Sequence, residues 1–241
     1  LEIAPNDPEL HNALGWSLFQ DGRSDEAVAA YRKALAADPK HVKSHNNLAL
    51  ALVDLGRLDE AARHFEASLA LEPKAEIYSD LGFTLARLGR AQEAQTAFSR
   101  ALAIDPECPS AHFNMAVVAL QGGDLAAAEA HYRRALPGRP TAETHNGLGF
   151  VLARQGRGDE AIAEYRRAIA VDAGFVPAYN NLAQTLTQQG RLAEAEEVYR
   201  ESLQRKPSPA VAGALATVLR RQNKVAEAER IERTLAGAGP R

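Results

Sequence analysis

The chain has 241 residues, a formal net charge of −3 and 46% hydrophobic residues. This weak acidity excludes the broad basic surface with which proteins hold nucleic acid. No run of apolar residues is long enough to insert into a membrane. Because Cys108 is the single cysteine, an intrachain disulfide and a cysteine zinc cluster are also excluded. The compartment is not indicated, although a soluble protein of the cytoplasm is favoured over one of the periplasm.

Six glycines and one asparagine recur at separations of 33 or 34 residues along the chain. These marker residues are Gly22, Gly56, Gly89, Gly123, Gly156, Gly190 and Asn223. Around each marker, apolar residues recur every three or four positions, which predicts two helices per period. The marker supplies the left-handed backbone conformation that ends the first helix. A repeat of this length predicts a solenoid of stacked helix pairs.

Other positions keep the same period and indicate how the helices pack. A small residue such as Gly15 lies seven positions before each marker, and an aromatic residue such as Tyr31 lies nine positions after it in the first six periods. The small residue marks a close crossing of two helices, and the ring fills the space beside it. Proline, as at Pro39, closes most periods. Since Pro137 and Gly138 come early, the second helix of the fourth period should be short.

This pattern resembles the tetratricopeptide repeat, a helix–turn–helix unit of about 34 residues. The resemblance covers nearly the whole chain and implies an all-α, right-handed α-solenoid of such units. Residues 1–7 would be the tail of a truncated preceding repeat, because Leu1–Pro5 has the pattern that ends later second helices. The units would then be residues 8–41, 42–74, 75–108, 109–141, 142–175 and 176–208. Residues 209–241 would form a degenerate, more polar seventh unit that caps the array, with a frayed tail at residues 237–241.

A stripe on the first helix of each unit is free of predicted packing. Counting from the first residue of a unit, positions 4, 7, 8 and 11 face inward, whereas positions 2, 5, 6, 9, 12 and 13 lie on another side. The resemblance implies that this stripe lines the concave surface of the superhelix, where members of the family bind ligands. Asparagine is frequent at positions 5 and 6, although it disfavours a helix interior. With one aspartate, these residues are Asn12, Asn46, Asn47, Asp80, Asn114, Asn146, Asn180 and Asn181.

Two interpretations of the asparagines are open. An asparagine amide offers a donor and an acceptor, so it can pair with the backbone of an extended peptide whatever the side chains of that peptide. The stripe is similar to the asparagine ladder in the repeat superhelix of O-linked N-acetylglucosamine transferases. Alternatively, the asparagines bond between adjacent first helices, or belong to the repeat consensus and have no ligand.

Position 9 adds large apolar side chains to the stripe as far as the fifth unit, and position 13 adds arginine. These residues are Trp16, Leu50, Phe83, Val117, Phe150, Arg87 and Arg154. They would form an apolar floor with a basic edge, so that binding favours the first five units. Alternatively, the apolar side chains pack between neighbouring first helices. The lysine and asparagine of the dicarboxylate clamp in chaperone-binding members are missing from positions 5 and 9, which disfavours that ligand class.

No residues are arranged for chemistry. His11, His45, His112 and His145 share one position, but successive repeats hold them about 10 Å apart, whereas zinc ligands lie about 2 Å from the metal. The sequence therefore predicts a non-catalytic protein–protein interaction scaffold, without cofactor or metal, that binds an extended peptide or a partner helix. The partner would be a protein or peptide, with no nucleic acid and no membrane insertion. Alternatives are the substrate-recruiting arm of a larger enzyme, such as a glycosyltransferase, or a self-assembling module.

Overall fold

The computed structural model describes residues 7–237, and the side chains of residues 7–233. Within this range the chain forms fourteen helices and no strand. They are α1 (Pro8–Gln20), α2 (Ser24–Ala37), α3 (Val42–Asp54), α4 (Leu58–Leu71), α5 (Ala75–Arg87), α6 (Ala91–Ile104), α7 (Pro109–Gln121), α8 (Leu125–Ala135), α9 (Ala142–Arg154), α10 (Gly158–Val171), α11 (Val176–Gln188), α12 (Leu192–Arg205), α13 (Pro209–Arg221) and α14 (Val225–Gly237). Odd-numbered helices are the first helices of the repeats, and even-numbered helices are the second.

The helices belong to two compact units, Leu1–Met115 and Ala116–Arg241. In the first unit α1 packs on α2, α3 on α4 and α5 on α6, while α2 also packs on α3 and α4 on α5. In the second unit α9 packs on α10, α11 on α12 and α13 on α14, again with contacts to the next pair. Each unit is therefore a stack of helix hairpins, and the predicted all-α solenoid is confirmed.

The marker residues have the backbone conformation that the sequence predicts. The six glycines have φ between 74° and 80°, and Asn223 has φ of 61°. In this region a Cβ is unfavourable, and asparagine is the side chain that tolerates it best. In the first repeat, the Arg23 N–H donates to the Leu18 carbonyl at 2.9 Å and the Gly22 N–H to the Phe19 carbonyl at 3.0 Å. These two bonds satisfy carbonyls at the end of α1 and turn the chain into α2.

The predicted close crossing of the two helices is also present. Tyr31 and Tyr165 are fully buried against the first helix of their repeats. A Cβ added to Gly15 would lie 2.6 Å from Tyr31 Cε1, and one added to Gly149 would lie 2.7 Å from Tyr165 Cε1. No real side chain approaches so closely without displacing a neighbour. Glycine is therefore required where the ring lies directly on the helix backbone.

Two expectations about the repeat ends have different outcomes. The helix α8 ends at Ala135 after 11 residues, before Pro137 and Gly138, so the prediction of a short helix is confirmed. Gly237, which the sequence placed in a frayed tail, is instead the last residue of α14. Residues 238–241 of that tail, and residues 1–6 of the predicted preceding repeat, lie outside the described residues.

Candidate functional site

The predicted asparagines lie on the first helices, and several bond to a residue of the neighbouring first helix. Three such bonds join Asn47 Nδ2 to Asn12 Oδ1 at 3.0 Å, Asn114 Nδ2 to Ser79 Oγ at 3.2 Å and Asn181 Nδ2 to Asn146 Oδ1 at 2.8 Å. Each joins position 5 of one repeat to position 6 of the next. These three amides therefore join adjacent first helices, which is the contact that the alternative to peptide binding expects.

These bonds leave part of each amide unused. A side-chain amide has two N–H groups and a carbonyl with two lone pairs, whereas the bond between Asn47 and Asn12 uses one N–H and one lone pair. Asn46 and Asn180 each have a buried Oδ1 that accepts no hydrogen bond from the described part of the chain. Asp80 lies beside Ser79 on α5 and is half-buried. The first helices thus retain hydrogen-bonding groups beyond those that join them.

The apolar residues at position 9 are partly exposed. Trp16 is 44% exposed and Phe83 is 46% exposed, and the Trp16 ring centroid lies 6.1 Å from that of Phe19. Leu50, Val117 and Phe150 are half-buried. Trp16 and Phe83 are therefore the more exposed of the five, and Leu50, Val117 and Phe150 are the more buried.

Arginine at position 13 stacks on the aromatic ring four residues earlier. Arg87 Cζ lies 5.9 Å from the Phe83 centroid, and Arg154 Cζ lies 5.9 Å from the Phe150 centroid, a favourable cation–π distance. Arg87 Nη1 also donates to the Val53 carbonyl at 3.3 Å. Arg154 makes no ion pair or hydrogen bond with the described residues. Its guanidinium is held by the ring alone and is available to a ligand.

In the second unit, a pocket of about 160 Å³ lies between α9, α10 and α11. Three of the predicted residues, Phe150, Arg154 and Asn181, line it. The other lining residues carry no charge at neutral pH: Ala153, Tyr165, Gln184, Thr185 and Gln188. Burial raises the pKa of Tyr165 to about 12, despite an opposing hydrogen bond with Thr185. The pocket, called here the α9–α11 pocket, combines one aromatic wall, one guanidinium and several amides.

A larger pocket, which sequence reasoning missed, lies in the first unit. It has a volume of about 410 Å³ and is bordered by the second helices α4 and α6, with α5 between them. We call it the α4/α6 pocket; its lining is Glu66, Leu69, Ala70, Tyr78, Leu81, Leu85, Glu93, Thr96, Ala97 and Arg100. Ala97 corresponds to His64 in the previous repeat. Comparison of the repeats at this position is the signal that would have revealed the pocket.

Two of the histidines at position 4 contact the second helix of their own repeat. His45 Nδ1 lies 3.0 Å from His64 Nδ1, and His145 Nδ1 lies 2.7 Å from Glu164 Oε2. Burial, followed by the charge of His45, lowers the pKa of His64. Over the described residues, no group of three histidine, cysteine or acidic side chains is placed to hold a metal ion. Over the same residues, no helix has the length and apolar character to cross a membrane.

The chain is similar to known proteins in sequence as well as in architecture. Residues 5–76 and 79–143 match one family model and residues 140–208 match another, both described as tetratricopeptide repeat. The peroxisomal targeting signal receptor of Kluyveromyces lactis is 50% identical over 44 residues, which are 18% of this chain and 8% of that protein. The chain thus corresponds to a small part of this relative.

Solved structures share the fold at low sequence identity. A chain of the APC/C hetero-tetramer Cut9–Hcn1 has a TM-score of 0.81 at 20% identity, covering 90% of this chain and 43% of that one. A tetratricopeptide repeat protein from Parabacteroides merdae has a TM-score of 0.67 at 16% identity, with 97% and 93% coverage. A thermophilic repeat protein of Thermus thermophilus has a TM-score of 0.60 at 24% identity, with 75% and 99% coverage. With family models matched over most of its length, the chain belongs to the tetratricopeptide repeat family.

Proposed function

We propose that the chain is a non-catalytic scaffold that binds an extended peptide or a partner helix along its first helices. The α9–α11 pocket carries this proposal, because it gathers Phe150, Arg154 and Asn181 around one cavity of about 160 Å³. Binding sites commonly combine apolar walls with a few polar groups that fix orientation. Phe150 would contact an apolar side chain, while the amides and the guanidinium would bond polar groups of the peptide.

The unused amide groups support a peptide backbone as the ligand. Asn181 has one N–H in its bond to Asn146 and keeps a second N–H and its carbonyl. Each bond to a peptide would contribute about 1 kcal/mol. Micromolar binding needs about 8 kcal/mol, so the amides need the help of apolar contacts such as that of Phe150. An arrangement of this kind would act as the asparagine ladder of O-linked N-acetylglucosamine transferases does.

The family and one relative support the same class of partner. Tetratricopeptide repeats typically mediate protein–protein interaction, and this chain belongs to that family. The yeast relative is by its name a receptor for a targeting signal. A peptide ligand for this chain is consistent with both.

A display library of random 12-residue peptides tests the proposal. Peptides selected on the immobilised chain are synthesised, and their affinities are measured by fluorescence polarisation. Phe150→Ala should weaken binding at least tenfold, the equivalent of about 1.4 kcal/mol, because aromatic anchors dominate such interfaces.

Val171→Ala is the matched control, since Val171 is an exposed apolar residue of α10 in the same unit (53% exposed) and lies outside the pocket. It should leave affinity within twofold. The proposal is wrong if no peptide is enriched, or if the two variants bind the enriched peptides equally well.

A further inference from the structure

Neighbouring second helices are joined by a recurring ion pair. An arginine at position 25 of one repeat meets a glutamate at position 19 of the next. The pairs are Arg32–Glu60 at 2.5 Å, Arg133–Glu160 at 3.8 Å, Arg166–Glu194 at 3.4 Å and Arg200–Glu227 at 2.7 Å. This contact thus occurs at one second-helix interface of the first unit and at three of the second unit.

Three of these glutamates accept a second arginine from their own repeat. The additional partners are Arg57 for Glu60 at 2.5 Å, Arg157 for Glu160 at 2.6 Å and Arg191 for Glu194 at 2.7 Å. Burial alone would raise the pKa of Glu60, but Arg32 and Arg57 outweigh it and lower that pKa. One carboxylate between two guanidinium groups is thus the common local arrangement.

The α4/α6 interface departs from this pattern. Glu93 keeps the arginine of its own repeat, with Arg90 Nη2 at 2.6 Å, but position 25 of the preceding repeat is Glu66. Among the described residues, Glu66 has no ion-pair partner. Both carboxylates line the α4/α6 pocket. A guanidinium is therefore missing where Glu60, Glu160 and Glu194 have one, and a second negative charge takes its place.

The same interface also lacks side-chain volume. His64 fills the corresponding space in the second repeat, where it reaches His45, and Glu164 fills it in the fifth, where it reaches His145. The third repeat has Ala97 there, which leaves a pocket of about 410 Å³. The leucines of its lining, Leu69, Leu81 and Leu85, give the pocket apolar walls. Such a surface suits the aliphatic stem of a long cationic side chain.

We propose that the α4/α6 pocket receives an arginine side chain of a partner protein. Its guanidinium would lie between Glu66 and Glu93, as that of Arg32 lies beside Glu60, and its stem would pack on the leucines. Arginine fits better than lysine, because its planar group can donate to two carboxylates at once. The pocket's own cation, Arg100, stacks over the Tyr78 ring with its Cζ at 5.9 Å from the centroid, and no ion pair links it to the described residues. This site lies on second helices and shares no residue with the α9–α11 pocket.

The test uses the random 12-residue display library on the whole chain, followed by counter-selection against Glu66→Arg. That variant supplies the arginine that Glu60, Glu160 and Glu194 have as a neighbour and should occupy the site. Peptides that bind the wild type and not the variant should contain arginine next to an aliphatic residue. Replacing this arginine by citrulline, which keeps the shape and removes the charge, should weaken binding at least tenfold.

Two controls separate this site from other effects. Glu107→Arg makes the same charge change at an exposed residue of the first unit that lies outside the pocket, and it should change affinity less than twofold. Phe150→Ala should leave these peptides bound. A failed prediction for the α4/α6 pocket can therefore be told apart from a failed prediction for the α9–α11 pocket. Ala97→His, which restores the side chain of the second repeat, should weaken binding as Glu66→Arg does.

Three results would overturn the proposal. One is that counter-selection leaves no peptide, and another is that citrulline peptides bind as well as arginine peptides. The third is a dimer that light scattering detects in the wild type and that Glu66→Arg dissociates, because a second copy of the chain would then occupy the pocket.

Discussion

At the scale of single residues, close packing explains why glycine alternates with alanine before the marker positions. Gly15 and Gly149 lie directly beneath a tyrosine ring, whereas Ala49 and Ala183 have a side chain at the same position of other repeats and are fully buried. The ring must therefore lie differently over the two kinds of residue. The type of ring does not decide between glycine and alanine, because a tyrosine accompanies Gly15 and Ala183 alike.

Gly149→Ala should lower the free energy of unfolding by about 1–3 kcal/mol, because the new Cβ forces Tyr165 or the Ala161 carbonyl to move. Urea denaturation followed by circular dichroism measures the change. Gly213→Ala is the control, since a Cβ there meets nothing within 4 Å. It should raise stability by about 0.5–1 kcal/mol, the usual gain of alanine over glycine in a helix. Equal effects of the two substitutions would contradict this explanation.

At the scale of helices, polar contacts between first and second helices vary from repeat to repeat. The second repeat joins α3 to α4 through His45 and His64, and the fifth joins α9 to α10 through His145 and Glu164. In the third repeat Tyr78 of α5 instead meets Arg100 of α6, whose Cζ lies 5.9 Å from the ring centroid. The apolar core is shared by the repeats, so these contacts are where individual hairpins differ.

The histidine pair makes the stability of the second repeat depend on pH. Burial lowers the pKa of His64 below its ordinary value of 6.5, so the unfolded chain takes up a proton more readily than the folded one. The stabilising contribution is complete above pH 6.5 and is lost as the pH falls below it.

The urea midpoint of the wild type should therefore fall between pH 7.5 and pH 5.5, and that of His64→Gln should fall less. The interpretation is wrong if both proteins lose the same stability over this interval. Because the carboxylates titrate alike in both proteins, the difference between them isolates the histidine.

At the scale of the whole chain, the fold could be predicted from sequence because each packing role recurs in nearly every repeat. The positive φ of Asn223 and the early end of α8 follow from single residues whose backbone preferences are strong. The site was less predictable. The stripe positions were identified, but whether Asn12 bonds Asn47 or a ligand depends on the spacing of adjacent helices, which the sequence does not contain.

The α4/α6 pocket escaped prediction for a related reason. It arises where Ala97 replaces the histidine or glutamate of the second, fourth and fifth repeats, and where Glu66 replaces the arginine of the first, fourth, fifth and sixth. An alanine carries no functional group, so it does not stand out among candidate site residues. Repeat-by-repeat comparison at equivalent positions finds such departures once the interfaces are known.

Hydrogen–deuterium exchange of the chain with and without a selected peptide tests the central claim, that the first helices form the peptide-binding surface. With a peptide whose binding requires Phe150, backbone amides of α9 and α11 should exchange more slowly in the complex, while those of α12 and α14 stay unchanged. Protection confined to the second helices, or none in α9 and α11, would contradict the account.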